Sequence, residues 1–454
     1  MRLPKEHERR TRNPVFPRST PRRPHSALPA ECPYGTPLIS ETYARWVIST
    51  IPETSWIRKY CNYAETQTSA NLAYSLGVGL TAMAAAVPPS VIAPTGFPAV
   101  TYANFYTMLV GSSGEAQKGL ALNPGRRVLE HGAPDTLGSK PASPQALSKS
   151  LQTNPHQVFF YPEGGSGLLG GRPGDMLDQL RKKWTDLFDG GPDRTEYADG
   201  SVAGHADPRP SMLVGCTPID LEYLTTLLDW QGGFLSRFFI VVAERERPKM
   251  RRLDWPEMRD YLGAQLRLSI TSQPGPWVGM TAEAEALWEP WMQNPIPPGS
   301  PERLHGALSR STLIAAKASL ILAWSQGFGW GGSPFYVDDK TMQAAINIGN
   351  LHAHSILGLG TRIAPSPEIR TQRIILRAIQ ASGANGLTLG SVTQVGDVSK
   401  KGALSHIETL REQGAIYGPH LVEQTPTYWA AGVAPVVATN GVAPPVPPLQ
   451  GHEL

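Results

Sequence analysis

The sequence predicts an α/β fold in which helices cover both faces of a parallel sheet, followed by a helical segment and a C-terminal winged helix. Three observations carry this prediction. Apolar runs without polar alternation recur at 105–110, 157–161, 211–215 and 238–243, with helical patterns between them. Strands of a parallel sheet read this way because both of their faces are buried. The first run stops at Gly111 and opens into a small, glycine-containing loop that delivers Lys118 to the start of a helix. Residues 370–430 hold three short helical stretches and then a β-ribbon, the order of elements in a winged helix.

The chain has 454 residues, 41% of them apolar and 17% charged, enough for two or three domains with a sizeable core. Its net charge of +3 is too small to argue for nucleic acid by itself. Cys32, Cys61 and Cys216 show neither pairing nor metal-type spacing, so a reducing cytoplasm and no zinc site are expected. The first residues are charged with no apolar stretch behind them, which argues against a signal peptide.

In order, residues 1–35 read as a disordered basic arm with eight Arg and Lys against Glu6 and Glu8 in the first 23 positions. Such an arm is either a tether to nucleic acid or an acidic partner, or a solvated tail. Residues 36–250 are the expected core, entered through short helices between Pro37 and Tyr63. No charged residue lies between Glu65 and Glu115, and Ser69–Val87 approaches the length of a membrane span. Its glycines, alanines and polar residues, and the absence of basic flanks, favour a buried helix and no membrane.

The helix after the loop meets Asn123-Pro124-Gly125, so it is expected to be short, kinked or restarted. A helix over Asp175–Phe188, a loop or hairpin over Asp189–Pro210 around Ala198-Asp199-Gly200, and a helix from Pro218 complete the core. Residues 251–365 form a helical segment, best defined at Ala282–Trp291, Leu304–Trp324 and Asp338–Leu357. In the winged helix (370–430), the helices are Thr371–Ala381, Leu387–Val395 and Ser399–Gln413, and the ribbon is Ile416–Trp429. Residues 431–454, rich in Pro, Ala and Val, read as a disordered tail.

The loop carries the chemistry. A strand ending in a glycine loop and a lysine at a helix start is how P-loop proteins hold phosphate, through backbone N–H groups, the helix terminus and the lysine. Gly111, Ser112, Ser113, Gly114, Lys118 and Gly119 are the candidates here. The spacing departs from G-x-x-x-x-G-K-[ST]: Gln117 precedes the lysine, and Gly119 and Leu120 follow it. An ordinary glycine turn is the alternative. Glu163, beyond the second apolar run, suits a water-activating base or sits in a surface turn; Pro162 stands where a metal-binding aspartate is expected. Thr217 suits a γ-phosphate sensor or a helix cap, two compatible roles. Arg237 is placed as an arginine finger reaching a neighbouring subunit, or as a buried structural arginine. Arg310 and Lys317 are weaker candidates for phosphate contact from the helical segment.

Asp189–Pro210, with Arg194, His205 and Arg209, is either a DNA-contacting hairpin or a surface loop. His352 and His354, two apart on a helix, cannot pair on a metal. Lys400, Lys401, His406 and Arg411 mark the presumed recognition helix, for DNA or for a protein partner.

Taken together these segments resemble a helicase-like ATPase family of phages, plasmids and integrated elements, the YfjI-like domain of unknown function with primase-helicase relatives. Its loop has the form G-x-x-x-x-x-R-K-G-T, matched by Gly111, Lys118 and Gly119, with Gln117 for the arginine and Leu120 for the threonine. Glu163 matches the glutamate of its Asp-Glu pair, and Gly233, Phe234, Leu235, Arg237 and Phe238 match its G-F-L-x-R-F signature. The resemblance covers roughly residues 65–360. It implies a RecA/AAA-like P-loop NTPase core that binds ATP and Mg²⁺, with the protein-side Mg²⁺ ligands lost, and a homo-oligomeric ring acting on single- or double-stranded DNA in replication. The same losses fit a second expectation, a non-hydrolysing nucleotide- or DNA-binding scaffold.

Overall fold

The computed structural model describes residues 39–433, apart from 89–90, 92–100, 115, 171–173, 197–201, 226–228, 231–232, 244–254, 276, 328–329, 333, 360–366, 413, 423–424 and 432. The basic arm, the C-terminal tail and the expected hairpin tip Ala198-Asp199-Gly200 lie outside the described residues.

Three helices lead in: α1 (Glu41–Thr50), α2 (Trp56–Gln67) and α3 (Leu72–Ala84). Ser40, Ser55 and Asn71 cap them, each side chain accepting a backbone N–H of the first turn. All thirteen residues of α3 are buried, so this part of the charge-free stretch is a core helix. Its small residues serve approach: a Cβ on Gly77 would stand 2.6 Å from Thr107 Cγ2 on the first strand. Among the described residues no helix is long and apolar enough to cross a membrane.

The sheet is built from β1 (Tyr106–Val110), β2 (Leu137–Gly138), β3 (Val158–Tyr161), β6 (Ser211–Cys216) and β7 (Phe238–Val242), all parallel, in the order β2-β3-β6-β1-β7. A short antiparallel pair, β4 (Thr195–Glu196) and β5 (Val202–Ala203), lies between β3 and β6 in sequence. Every residue of β1, β6 and β7 is buried, so these strands cannot show the alternation of a half-exposed sheet.

Five helices belong to the connections: α4 (Lys118–Gly132), α5 (Pro144–Thr153), α6 (Gly164–Leu168), α7 (Met176–Phe188) and α8 (Pro218–Leu224). α4 neither stops nor restarts at Pro124 but runs through it. An internal proline costs about 3 kcal/mol. The helix also buries Ala121, Leu122, Val128 and Leu129, and large aliphatic side chains return roughly 1.5–3 kcal/mol each. Packing wins over local propensity.

The helical segment is not a separate body. Its helices α9 (Pro256–Thr271), α10 (Ala282–Gln293), α11 (His305–Ser309), α12 (Ser311–Ser325) and α13 (Asp339–Leu359) close over the sheet and the leading helices. Trp56 Nε1 donates to Leu262 O at 3.0 Å, and Trp324 Nε1 to Ser269 Oγ at 2.7 Å. A small pair, β8 (Trp277–Met280) and β9 (Phe335–Val337), brackets α10 to α12.

His352 of α13 is buried, and its Nδ1 accepts the N–H of Ile240 at 3.1 Å. Burial pushes its pKa down to about 4. The folded imidazole is therefore neutral where the unfolded one takes up a proton, so its contribution is complete above pH 6.5 and declines as pH falls toward 4. Urea unfolding at pH 7 and pH 4.5 should show a loss at the lower pH, with about 3 kcal/mol from His352 by pH 4.

Residues 367–430 form a smaller unit with α14 (Pro367–Ser382), α15 (Leu389–Gly396), α16 (Lys400–Glu412) and a three-stranded sheet. Its strands β10 (Leu387–Thr388), β12 (Thr425–Ala430) and β11 (Ile416–Val422) lie in that order. Ile375, Ile379, Val392, Ala403, Ile407 and Leu410 fill its core. It rests on α8: Arg377 Nη2 lies 3.1 Å from the buried carboxylate of Glu222, and Nη1 donates to Tyr223 Oη at 2.9 Å.

Candidate functional site

β1 lies between β6 and β7, and the three strands end level: Val110 is in register with Cys216 on one side and Val242 on the other. The chain leaves β1 for β2 on one flank and later crosses from β6 to β7 on the other. This reversal opens a crevice at the carboxyl ends of the strands, the place where ligands bind in open α/β sheets. The loop 111–117 occupies that crevice.

Gly111 continues the ladder by donating to Cys216 O at 3.2 Å. It has no room for a side chain, since a Cβ would stand 2.3 Å from Ala116 Cβ and 2.5 Å from Tyr74 Oη. The Tyr74 hydroxyl donates to Val110 O at 2.7 Å, with Ala243 O at 3.2 Å, and so ties the ends of β1 and β7 together beneath the loop. Ser112, Ser113 and Gly114 are exposed at the tip. Gln117, the residue before the lysine, sits in the left-handed region (φ 53°, ψ 32°). For a residue with a Cβ this costs roughly 1–2 kcal/mol. Its side-chain oxygen accepts a hydrogen bond from Ser69 Oγ, which holds it there. Gln117 thus holds a left-handed backbone of the kind that glycine adopts without strain.

Lys118 opens α4. Its half-buried ammonium folds back onto the loop and donates to Gly111 O and to Ser112 O, the latter at 3.2 Å. Burial lowers its pKa, opposed by the nearby Cys216 and Asp220. Gly119 and Leu120 follow, both exposed. The loop therefore brings together backbone N–H groups, a helix start and a half-buried cation, a set that fits a phosphate. For Mg²⁺ the fit is sparser. No group of three His, Cys, Asp or Glu exists among the described residues, although Mg²⁺ held by phosphates needs only one or two carboxylates.

Glu163 is exposed just past β3, at the same end of the sheet but two strands from β1. Thr217 caps α8 through a reciprocal box: Asp220 N donates to its Oγ1 at 3.1 Å, while Thr217 N and Oγ1 donate to Asp220 Oδ2 at 2.9 and 2.7 Å. The cap is formed, and the hydroxyl is engaged in it. Asp220 is a residue that sequence reading missed. Its carboxylate occupies the space a Cβ on Gly165 would take, so it lies against the turn after β3 and close enough to Lys118 to oppose the lowering of that lysine's pKa by burial. Its only sequence signal is the T-P-x-D capping pattern, which points to a helix start and not to a site.

Other candidates lie elsewhere. Arg237 precedes β7, at the end of the sheet opposite the loop, and is buried. Its Nη2 is 2.5 Å from Asp189 Oδ2, and its Nη1 donates to Gly233 O at 2.8 Å. This is the geometry of a structural arginine, not of a finger held out to a neighbour. Lys317 is also at that far end, fully buried, donating to Tyr102 O at 3.0 Å and Asn104 Oδ1 at 2.7 Å. Burial takes its pKa down to about 7. Arg310 stands near the Asp189–Arg237 pair, not near the loop, and burial lowers its pKa. Arg209 is buried over the Tyr102 ring at 3.6 Å, so it cannot serve as an exposed hairpin contact.

On α16, Ala403, Ile407 and Leu410 face the core, and Lys400 and Lys401 are exposed at the first turn. Arg411 is three turns away, in a shallow recess with Glu408 and Glu412. The structure thus separates Arg411 from the two lysines, and His406 lies half-exposed between them.

No protein-family model matches the chain, and no curated protein matches it significantly.

Proposed function

We propose that this chain is a P-loop NTPase of helicase-like type that binds ATP at the loop 111–118 and acts on DNA. One observation carries the reading. A strained glycine loop and Lys118 stand at the carboxyl end of β1, and β6 separates β1 from the acid-bearing β3. That order sets Thr217 next to the loop and Glu163 one strand further, all at the carboxyl end of the sheet where open α/β folds bind their ligands. The three helices and small sheet of residues 367–430 fit a winged helix, with Lys400 and Lys401 as phosphate contacts. The replication role, the origin in a mobile element and the ring rest on the family resemblance.

In this reading the loop N–H groups and Lys118 hold the triphosphate, and Lys118 exchanges its bonds to Gly111 O and Ser112 O for phosphate oxygens. Mg²⁺, held mainly by phosphate oxygens and water, would supply charge neutralisation at the triphosphate. Glu163 orients and deprotonates the attacking water, and Thr217 senses the terminal phosphate by exchanging its hydroxyl bond to Asp220 Oδ2 for a phosphate oxygen. A scaffold that binds nucleotide without hydrolysing it is the second reading. It is favoured by the missing hydroxyl after Lys118, by Pro162 and by the tie of Arg237 to Asp189.

ATP turnover with and without single-stranded DNA separates the two. The NTPase reading expects slow turnover that DNA stimulates and that both Lys118→Ala and Glu163→Gln abolish. ATP binding with no turnover in either condition would leave the scaffold.

A further inference from the structure

We propose that the cavity between the α2–α3 turn and the outer face of α4 seats the nucleobase, and that Gln67 selects a purine with an exocyclic amine, adenine over guanine. The inference rests on the phosphate reading of the loop.

The cavity measures about 150 Å³ and is walled by residues 67–69 on one side and by Leu120, Asn123, Pro124 and Arg127 on the other. The second group is spaced i, i+3, i+4, i+7, so it is a single face of α4 beginning two residues after Lys118. A cavity of this size holds one aromatic ring system and not a whole nucleotide. It is joined to the loop through Ser69, which lines it and donates to Gln117. A nucleoside whose phosphates lie on the loop is therefore led along this face of α4.

The walls suit a base. Leu120 is 48% exposed, a large aliphatic side chain at the cavity's edge, and Pro124 is a buried flat surface opposite residues 67–69. Gln67 is 8% exposed; its amide N–H₂ donates to Thr66 Oγ1 at 3.0 Å, and its carbonyl oxygen has no partner among the described residues. An acceptor that can be reached from the cavity and meets no protein donor is open to a ligand donor. The amine of adenine supplies that donor. Guanine presents a carbonyl at the same edge, and the Gln67 oxygen cannot pair with it.

Equilibrium binding of ATP, GTP and inorganic tripolyphosphate to the full chain tests this. ATP is expected to bind about tenfold or more tighter than either competitor. Gln67→Leu should bring ATP and GTP within about twofold of each other while leaving tripolyphosphate affinity unchanged. Leu120→Trp, at an exposed position that does not threaten folding, should fill the cavity and remove the advantage of ATP over tripolyphosphate. Equal binding of all three ligands, or an ATP preference that survives both substitutions, overturns the base seat and leaves the phosphate reading standing. No binding of any of the three overturns both.

Discussion

Lys118→Ala should lower affinity for ATP and for inorganic tripolyphosphate by at least about 100-fold, because the ammonium is the one cation that the loop itself carries. Titration calorimetry on the folded variant measures this directly. The fold should survive, since Lys118 is only half-buried and its bonds go to loop carbonyls that water can satisfy. Lys118→Arg should recover little, because the planar fork cannot fold back over Gly111 as a point charge does. Unchanged tripolyphosphate binding in Lys118→Ala would mean that the loop is a turn and not an anion seat.

The second large effect concerns stability. Asp189→Ala should destabilise the protein by about 2–3 kcal/mol, because it strips a partner from a buried guanidinium. The value is set below that of a fully buried pair because Asp189 is 47% exposed. Urea denaturation of Asp189→Ala and Arg237→Ala checks it. If Arg237 instead serves a neighbouring subunit, Arg237→Ala should leave stability unchanged and suppress turnover only when subunits assemble.

The strands and helices with strong patterns were legible because each obeyed one local rule. The fully apolar runs became β1, β3, β6 and β7. Thr217, a candidate cap ahead of Pro218, announced α8. β2 was not legible: two half-exposed residues, Leu137 and Gly138, make no apolar run, and their place comes from pairing with β3. The continuity of α4 through Pro124 was hidden for a related reason, since the burial that outweighs the proline comes from elements distant in sequence.

The site shows the same division. Gly111 and Lys118 were visible as a strand–loop–lysine sequence. The strand order that sets Thr217 beside the loop and Glu163 one strand further was not, because β1 pairs with strands more than a hundred residues later. Asp220 stayed hidden inside a capping pattern, and only the packing of α8 against the turn after β3 brings it toward Lys118. Arg237 was correctly placed before a strand, but its partner Asp189 is 48 residues away and no local signal joins them.

The central claim is that the loop after β1 is an anion seat for a nucleoside triphosphate. Amide hydrogen exchange of the full chain with and without ATP tests it most directly. The account predicts slowed exchange in 111–123 and around Gln67–Ser69, with the far end of the sheet around Asp189 and Arg237 unchanged. ATP binding without protection of 111–123, or protection confined to residues 367–430, would contradict it.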